Sequence, residues 1–591
     1  MPEVVNSTVL VLIPKVKNLQ NLTQFRPISL CNVLYKLASK VLALRLRPIL
    51  DEIISEEQSA FVPGRLISDN VLTAYECIHY LRRKKGKTGD CAVKLDMAKA
   101  YDRVEWSYLR AIMHKLGFAQ MWIDRIVACV ESVSFSVRVN GKFSQIFKPT
   151  RGFRQGDPIS PYLFLLCSEG LTSLLKSFGT GHLGRGIRVG IHAPWITHLL
   201  FADDCLIFTQ ASYAGARRIH DILEIYRRGS GQLVNRTKSA KNFSTNCDDD
   251  MKARMHEGSG IATEALMEKY LGLPTALGRS TDEQFEGILS SLKKLCKGWT
   301  PQLLNSAGRE VLVKSVGQAI PTFSMSCFRL SKNMCKKITS ILARYWWGGD
   351  EKKRKMHWKK WIDIATPKSE GGMGFRDIQI FNQAMLAKQG WRLLTNPDSL
   401  CARLLKGKYF HDCDFMEARN KRNASHTWRA ILHGRKALKK GLTKRVGDDN
   451  TIRIWEDPWV PESHDKRPLV KLPTTTVTLV EELVNQDNGG WDMHKLEANF
   501  VEPDVSMIAR IPMGRAEEDF WSWFPDRFGN FSVRSCYKLM IERRQDVEAA
   551  SSASRPDKLP WNKLWSLLVP PNIRNFWWRV IKGFVPSRAV L

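Results

Sequence analysis

The stretch that decides the fold is His198-Leu199-Leu200-Phe201-Ala202-Asp203-Asp204-Cys205-Leu206-Ile207-Phe208. Two adjacent acids stand between two short apolar runs, and this pattern predicts a strand, a tight turn and a second strand, with the acids at the turn. Burying a carboxylate is costly unless it is paired or binds a metal ion. A solvated Asp-Asp turn is the plain alternative, because acidic turns are common.

A second acid follows another apolar run. Cys91–Leu95 predicts a strand, and Asp96 comes directly after it. If the two strands lie side by side in one sheet, their acids can hold hard cations, because Mg²⁺ accepts one or two carboxylates and leaves positions for phosphate oxygens. Two such ions about 4 Å apart can activate an attacking oxygen and stabilise a leaving oxygen in phosphoryl transfer.

Three motifs occur in order along the chain, namely Asp96–Asp102, Arg154–Pro158 and Phe201–Asp204. Together they resemble motifs A, B and C of a reverse transcriptase palm. Further segments resemble the fingers and downstream motifs of plant-like, non-LTR (LINE-type) retrotransposon enzymes: Ile13–Lys15, Phe25–Leu30, Phe61–Arg65, Asn235–Ser239 and Tyr270–Pro274. The resemblance covers about residues 4–275.

The resemblance implies an α+β right-hand polymerase, with fingers and an antiparallel-sheet palm in residues 1–275 and a helical thumb and connection in 276–365. It implies RNA-directed DNA polymerase activity, with an RNA template, a DNA primer and dNTPs as partners. Asp96, Asp203 and Asp204 would hold two Mg²⁺ ions, with Mn²⁺ as a substitute. Adjacent residues of a strand point to opposite faces, so the two neighbouring acids cannot face the metals equally; Asp203 is favoured by its position in the motif.

The resemblance also assigns substrate contacts. Lys15 and Arg26 would meet the triphosphate, where cations balance the charge that moves onto pyrophosphate; a solvated surface pair is the alternative. Tyr101 would crowd the sugar 2′ position and select deoxynucleotides, unless it is simply a core aromatic. Gln155 and Gly156 would lie against the nascent base pair, where glycine allows close backbone approach; the alternative is an ordinary turn before a helix.

Three further assignments concern the surroundings of the acids. Lys238 matches a lysine that can protonate departing pyrophosphate, although a lone exposed lysine is commonly only solvated. Asp102 and Glu105 predict a capping box for a helix closed by Gly117, which makes Asp102 a structural cap rather than a metal ligand. Tyr270–Pro274 resembles the primer grip that holds the DNA 3′ end.

Local patterns predict individual elements elsewhere. They are a strand at Val9–Ile13, a helix from Leu34 to Leu50 with apolar Leu34, Leu37, Val41 and Leu44, a hairpin from Phe135 to Phe147 around Asn140-Gly141, a helix from Ser160 towards Phe178, a helix from Ser212 to Arg228, and strand-like residues at Thr451–Trp455. The hairpin prediction is strong, because Asn-Gly supplies the positive φ angles of a type I′ turn.

Charge points to a polyanionic partner. Lys and Arg number 90 against 59 Asp and Glu, a net charge of +31, which suits nucleic acid first and an anionic membrane surface second. Basic residues such as Lys352–Lys355 stand among tryptophans, which suits a duplex or folded RNA, whereas the tryptophans themselves are better explained as core. No apolar run approaches the roughly 20 residues of a membrane span, and no signal peptide is evident. We therefore expect no membrane partner and an intracellular protein of the nucleus or cytoplasm, not a secreted one.

Towards the C-terminus the patterns weaken. Residues 366–545 predict a mixed, poorly defined region without recognisable chemistry, and 546–558 predict a linker rich in Ala, Ser and charge. Residues 559–591 resemble the start of the zinc-binding module that follows the polymerase in this family, without its Cys and His ligands, so no zinc is expected. The endonuclease and RNase H of complete elements are absent, which suggests a truncated open reading frame or fragment. Two rivals stay open: a non-catalytic, maturase-like RNA-binding remnant, and a pseudogene product that does not fold stably.

Overall fold

The chain forms two compact units. The computed structural model describes residues 3–178, 186–264, 269–275, 282–299, 304–349, 355–447, 451–485, 489–512, 518–550 and 560–585. The first unit comprises Met1–Ala276 with Asp398–Asp412, and the second comprises Leu277–Pro397 with Cys413–Leu591. Residues 398–412, which sequence patterns assign to the C-terminal region, therefore belong to the unit that carries the predicted fingers and palm.

The first unit mixes helices with sheets, and one of its two four-stranded sheets is antiparallel throughout, as predicted. Its strands are β1 (Ser7–Pro14), β2 (Phe25–Cys31), β3 (Asp90–Leu95), β4 (Ser134–Val139), β5 (Lys142–Phe143), β6 (Ile187–Arg188), β7 (Trp195–Ile196), β8 (His198–Phe201), β9 (Asp204–Gln210), β10 (Ala240–Phe243), β11 (Lys269–Tyr270) and β12 (Leu273–Pro274). Its helices before residue 276 are α1 (Glu3–Asn6), α2 (Val33–Leu46), α3 (Leu50–Ile53), α4 (Ile67–Leu81), α5 (Trp106–Lys115), α6 (Gln120–Glu131), α7 (Ser160–Phe178), α8 (Tyr213–Ser230) and α9 (Asp249–Ser259).

The sheet that carries the acids has the strand order β10-β3-β9-β8, and every neighbouring pair is antiparallel. Side chains alternate between the two faces of a strand. On β3, Cys91, Val93 and Leu95 belong to one buried cluster with residues of α7 and α8, such as Leu171 and Ile219. This apolar face packs the sheet against two helices, whereas the opposite face carries buried Ala92, Leu206 and Phe208.

The other four-stranded sheet has the order β2-β1-β4-β5 and contains one parallel pair, β1 with β4. The hairpin from β4 to β5 turns at Asn140 and Gly141, whose φ angles are 50° and 83°, so the predicted type I′ turn is confirmed. The predicted strand at Val9–Ile13 lies within β1, and the predicted helices beginning near residues 160 and 212 are α7 and α8.

The helix predicted from Leu34 to Leu50 forms as α2, but it ends at Leu46 and is followed by a 3-10 turn, Arg47–Ile49; the face that it buries also differs from the expected one. Its buried residues are Tyr35, Ser39, Ala43 and Leu46. The apolar positions that drew attention in the sequence are instead exposed: Leu34, Leu37, Val41 and Leu44. Periodicity therefore identifies the helix, but the helix has apolar residues on both faces, and periodicity alone does not decide which face is buried.

Three local predictions are wrong. Asp102 does not cap α5, because Glu105 is the N-cap residue and makes no side-chain cap hydrogen bond; Gly117 does follow the helix end, with φ of 84°. Thr451–Trp455 forms no strand, and only Arg453 makes a single bridge there, with Leu479. The first residues of the predicted linker, 546–550, continue a helix, while 551–558 lie outside the described residues.

The second unit is largely helical. Its elements, together with α16 of the first unit, are α10 (Glu286–Gly298), α11 (Ser306–Leu312), α12 (Thr322–Cys327), α13 (Lys332–Trp346), α14 (Trp361–Ile364), α15 (Ile378–Thr395), α16 (Leu400–Tyr409), α17 (His426–Leu438), β13 (Leu442–Arg445), α18 (Met493–Asn499), α19 (Glu502–Ala509), β14 (Phe520–Trp523), α20 (Val533–Ala550), α21 (Trp561–Ser566) and α22 (Pro571–Ile581). Trp346 and Trp347 are buried in a core cluster that also includes Trp561 and Trp578, so these tryptophans are core residues, as expected. Lys352–Arg354 lie outside the described residues.

Candidate active site

The three acids meet at one end of the β10-β3-β9-β8 sheet. Leu95 pairs with Cys205, so the next positions along the two antiparallel strands are Asp96 and Asp204. Phe201 pairs with Asp204, which leaves Ala202 and Asp203 as a two-residue hairpin turn. The predicted strand-turn-strand is confirmed, and its acids adjoin Asp96 within a single sheet.

The hairpin turn is held in a strained conformation. Ala202 has a φ of 54°, in the left-handed region that costs an L residue about 1–2 kcal/mol. A positive φ at the first of two turn residues is the pattern of a type II′ turn, where glycine is the usual residue. Strain of this kind persists only where neighbouring groups enforce it, and it concentrates at functional sites.

Like charges crowd this end of the sheet. Asp203 is exposed, whereas Asp96 and Asp204 are half-buried. The pKa of Asp204 is raised, first by burial and then by the charge of Asp203; Lys94 opposes this shift and Asp96 adds to it. A cluster of carboxylates that repel one another in a partly dry setting favours the binding of cations.

The donor set suits hard divalent ions. No group of three or more Cys, His, Asp or Glu side chains is preformed as a metal site in the part of the chain that the structure describes. Mg²⁺ does not require such a cage, because it commonly uses one or two carboxylates together with waters and substrate phosphates. The carboxylates of Asp96, Asp203 and Asp204 are oxygen donors of the required kind.

The backbone of Asp96 is held by the segment that contains Lys238. The Asp96 N–H donates to Oγ of buried Ser239 at 3.1 Å, and the Asp96 carbonyl accepts from the Asn235 N–H at 2.8 Å. Lys238 lies between these two residues with an exposed side chain. The structure therefore places the Asn235–Ser239 motif next to Asp96, although the two segments are far apart along the chain.

Gln155 and Gly156 lie on a loop with a rigid base. Buried Arg154 and Asp157 form an ion pair of 3.0 Å, and the Tyr35 hydroxyl donates to Asp157 at 2.6 Å. Gly156 is exposed with a φ of 107°, and a side chain there would come within 3.2 Å of the Ser29 carbonyl oxygen. Glycine is therefore required at this position for both reasons.

Asp102 faces the same loop. Its Oδ1 accepts from Gln155 Nε2 at 3.3 Å. Burial raises the pKa of Asp102, and the hydrogen bond from Gln155 opposes that shift, as do the charges of Lys99 and Lys15. A cavity of about 250 Å³ adjoins Gln155 and is lined by Pro27, Phe135 and other residues of the β2-β1-β4-β5 sheet. Asp102 thus orients Gln155 instead of capping a helix.

The two predicted triphosphate ligands lie on or next to the paired strands β1 and β2. Lys15 follows β1, its backbone N–H donates to the Gln24 carbonyl at 2.8 Å, and its side chain is exposed. Arg26 is exposed on β2 opposite Ile13. The influence of Lys15 on the pKa of Asp102 shows that its charge reaches the loop that carries Gln155.

Tyr101 lies on a short 3-10 turn, Ala100–Arg103, after the first acid. Its ring is partly buried, and its pKa is raised, first by burial and then by the negative charge of Asp203. Tyr101 and Asp203 are therefore neighbours in space, although they belong to separate motifs.

Tyr270 is fully buried and is not free to grip a primer. Its hydroxyl donates to Asn70 Oδ1 at 2.6 Å. The turn between β11 and β12 consists of Leu271 and Gly272, with φ angles of 48° and 81°, and Gly272 is exposed. If this hairpin touches a primer, the turn makes the contact and Tyr270 supports it from within.

Two buried residues that sequence patterns did not identify also reach the acidic hairpin. Gln58 Oε1 accepts from the Ala202 N–H at 3.1 Å, and Asn70 Nδ2 donates to the Leu200 carbonyl at 2.8 Å. Neither residue lies in a local pattern that distinguishes it from an ordinary buried amide. Gln58 does stand three residues before the motif Phe61–Arg65, and that proximity was the one available signal.

Comparison with known proteins adds to this geometry. The family model for reverse transcriptase (RNA-dependent DNA polymerase) matches residues 13–274, which contain every residue of the candidate active site. A Pol polyprotein from a type-1 retrotransposable element R2 of Popillia japonica is 33% identical over 198 residues, covering 33% of this chain and 26% of the relative. Residues 13–274 therefore match the reverse transcriptase family.

Two plant proteins are also similar to this chain. An uncharacterized mitochondrial protein of Arabidopsis thaliana is 43% identical over 152 residues, which are 26% of this chain and 99% of that protein. A putative ribonuclease H protein of Arabidopsis thaliana is 30% identical over 321 residues, covering 52% of this chain and 50% of the relative. The chain thus spans half or less of the length of the ribonuclease H-like and Pol relatives.

The resemblance to non-LTR retrotransposon reverse transcriptases is confirmed by these matches. The likeness of residues 559–591 to a zinc-binding module stays a prediction. No helix within the described parts of the chain is both long and apolar enough to cross a membrane.

Proposed function

We propose that the chain is an RNA-directed DNA polymerase that extends a DNA primer on an RNA template by two-metal nucleotidyl transfer. The observation that carries this proposal is the placement of Asp96 beside the Asp203-Asp204 turn on adjacent strands of one sheet. The family match and the net charge of +31 support a nucleic-acid substrate.

Asp96 and Asp203 would be the principal metal ligands, with Asp204 beside them. Divalent ions, when bound, activate the attacking oxygen and stabilise the leaving oxygen of an in-line displacement. Asp203 is exposed to solvent, and Asp204 is half-buried. Burial first, and then the charges of Asp203 and Asp96, raise the pKa of Asp204, and bound cations would offset the repulsion between these carboxylates.

The remaining residues would bind and orient the nucleotide. Lys15 and Arg26 would neutralise the triphosphate, because positive charge placed where negative charge develops lowers the barrier. Gly156 would let the backbone approach the base pair, and Gln155, oriented by Asp102, would line it. Lys238 would donate a proton to pyrophosphate as it leaves.

Primer extension tests the proposal directly. The purified chain should add dNTPs to a DNA primer annealed to an RNA template in the presence of Mg²⁺, and Mn²⁺ should replace Mg²⁺. Asp203→Ala should abolish extension while template affinity, measured by fluorescence anisotropy, stays within about twofold, because affinity rests mainly on phosphate contacts. Asp250→Asn, which alters an exposed acid on α9, is the matched control and should extend normally. Template binding without extension by the unaltered chain would favour a non-catalytic remnant.

A further inference from the structure

Buried polar side chains converge on the backbone of the acidic hairpin from behind. Gln58 is fully buried, Asn70 is 1% exposed and Tyr270 is fully buried. They lie on three separate segments of the first unit. Gln58 and Asn70 bond to the peptide groups on the two sides of Phe201, and Tyr270 bonds to Asn70. We propose that Gln58, Asn70 and Tyr270, termed here the support set, are positioning residues that hold the turn presenting Asp203; this inference rests on the proposed function.

The amide of Gln58 has a fixed orientation. Its Oε1 accepts two backbone N–H groups, from Ala60 at 3.0 Å and from Ala202 at 3.1 Å. Only the carbonyl end of an amide can accept, so the NH₂ end must point the other way. Among the described residues, Gln58 Nε2 has no hydrogen-bond partner. The fold therefore tolerates an unpaired buried donor in order to place one acceptor at Ala202.

The bond to Ala202 falls on the strained residue. Ala202 is the left-handed residue of the turn, and Asp203 is the next residue along the chain. An acceptor fixed opposite the Ala202 N–H favours this backbone conformation over the extended one that an alanine prefers. Gln58 is also tied to the hairpin through the backbone, because the Leu200 N–H donates to the Glu57 carbonyl at 2.9 Å and the Ser59 N–H donates to the Leu200 carbonyl at 3.1 Å.

Asn70 and Tyr270 form a second connection with a defined direction. Burial raises the pKa of Tyr270, and the charge of Asp204 raises it further, so the hydroxyl keeps its proton and acts as the donor. Asn70 must then present Oδ1 to Tyr270 and Nδ2 to the Leu200 carbonyl, which are 2.6 Å and 2.8 Å away. Two successive hydrogen bonds therefore link the Tyr270 hydroxyl to Asn70 and Asn70 to the Leu200 carbonyl, on the strand that precedes the turn.

The support set explains how an alanine can occupy a position that suits glycine. Glycine at 202 would reach the same φ without strain, and it would also let the turn relax into other conformations. Alanine with an external acceptor gives a turn that is both rigid and correctly shaped. A misplacement of reacting groups by about 1 Å can cost roughly 100-fold in rate, so this rigidity has kinetic value.

The test uses Gln58→Met, which keeps an unbranched side chain of similar length and removes both amide atoms. We expect kcat for dNTP addition to fall roughly 10- to 100-fold, with KM for dNTP and template affinity unchanged within about threefold. Adding Ala202→Gly should recover kcat at least about tenfold, because glycine adopts the turn conformation unaided. The melting temperature should not recover, since the Ala60 N–H remains unpaired.

Gln389→Met is the matched control. Gln389 is a 4% exposed glutamine of the second unit whose Nε2 donates to the Ser326 carbonyl at 3.1 Å. Its substitution should lower the melting temperature and leave kcat unchanged. An equal fall in kcat for both variants, or a Gln58→Met kcat that Ala202→Gly does not improve, would overturn the positioning role.

Hydrogen exchange provides a readout that does not depend on polymerase activity. In Gln58→Met, amides of the 198–208 hairpin should exchange at least about tenfold faster, while amides of β3 keep their protection, because the loss is local. Tyr270→Phe should produce a smaller change of the same kind. Unaltered hairpin exchange would refute the support set even in an active enzyme. If the unaltered chain is inactive but the hairpin amides of Gln58→Met still exchange faster, the proposed function is refuted and the structural role of the support set stands.

Discussion

Tyr101 stacks on Phe164 with ring centroids 4.9 Å apart and an interplanar angle of 9°. Phe164 is a buried residue of α7, the helix that follows the loop of Gln155 and Gly156. Tyr101, the residue predicted to select the sugar, therefore packs against the helix that follows the loop of Gln155 and Gly156. The charge of Asp203 also raises the pKa of its hydroxyl, after burial. Stacked aromatic pairs add about 0.5–1.5 kcal/mol beyond area burial, enough to restrict the ring to one orientation.

We expect Tyr101→Ala to admit ribonucleotides. Removing the ring opens the space beside the sugar 2′ position, and the ratio of kcat/KM for dNTP over rNTP should fall at least about tenfold. Tyr101→Phe retains the ring and should retain the ratio. Phe164→Leu removes the stacking partner alone and should give an intermediate value. Single-nucleotide addition with matched dNTP and rNTP measures all three, and an unchanged ratio in Tyr101→Ala would make Tyr101 a core aromatic.

Asp203→Asn should reduce the stabilisation of the protein by divalent ions without lowering its stability in their absence. The substitution removes a charge that raises the pKa of Asp204, so repulsion at the end of the sheet falls. Without divalent ions, the melting temperature of the variant should equal or exceed that of the unaltered chain. Added Mg²⁺ should raise the melting temperature of the unaltered chain more than that of the variant, because ligands stabilise the state that binds them. A metal-induced shift of equal size in both proteins would argue against Asp203 as a ligand.

The acidic hairpin could be predicted from the sequence because its evidence is local. Two apolar runs flanking Asp203 and Asp204 define strands and a turn within eleven consecutive residues. The pairing with β3 was a hypothesis of a different kind, since no local pattern dictates which strand lies beside another. The ordered motifs of the resemblance supplied that information, and the register Leu95 to Cys205 agrees with it.

What could not be predicted depends on contacts between distant residues. The hydrogen bonds of Asn70 to Leu200, Gln58 to Ala202 and Tyr270 to Asn70 span 130, 144 and 200 residues of chain. A buried polar side chain carries no sequence signal of the group it will bind. The buried face of α2 was hidden for a related reason, because Tyr35 and Ala43 are no more apolar in pattern than exposed Leu37 and Val41. In both cases tertiary packing determines which groups are in contact, and local sequence patterns do not.

Helix α16 should prove necessary for the first unit, although it lies beyond the family match. Glu76 on α4 is fully buried, and it accepts from Lys408 Nζ and from the Tyr409 hydroxyl, each at 2.7 Å. Lys408→Met would leave a buried carboxylate without its cation, which typically costs about 3–5 kcal/mol. Urea unfolding should show that loss, and the double variant Glu76→Gln with Lys408→Met should recover at least half of it. Arg403→Met, which removes a more exposed ion pair with Glu56, is the control and should cost less than about 1 kcal/mol.

The first unit should also lose stability in mild acid through one histidine. His198 begins β8 and is fully buried, with ring nitrogens 2.8 Å from the Thr197 hydroxyl and 3.3 Å from the Thr172 hydroxyl. Burial first, and the charge of Lys176 second, lower its pKa from 6.5 to about 3. A histidine whose folded pKa is depressed stays neutral in the fold, while the unfolded chain takes up a proton below pH 6.5. Stability is therefore fully present above that pH and falls as the pH drops towards 3.

His198→Asn removes this proton and leaves a hydrogen-bonding side chain at the same place. Between pH 6 and pH 5 the free energy of unfolding of the unaltered chain should fall by about 1 kcal/mol more than that of the variant. The other titrating groups, including Asp90, Glu169 and Asp204, are present in both proteins and cancel in the difference. Parallel pH dependences in urea unfolding would show that His198 is protonated in the folded state, and the hydrogen bonds to the two threonines would then have to be reassigned, because a charged imidazole can only donate.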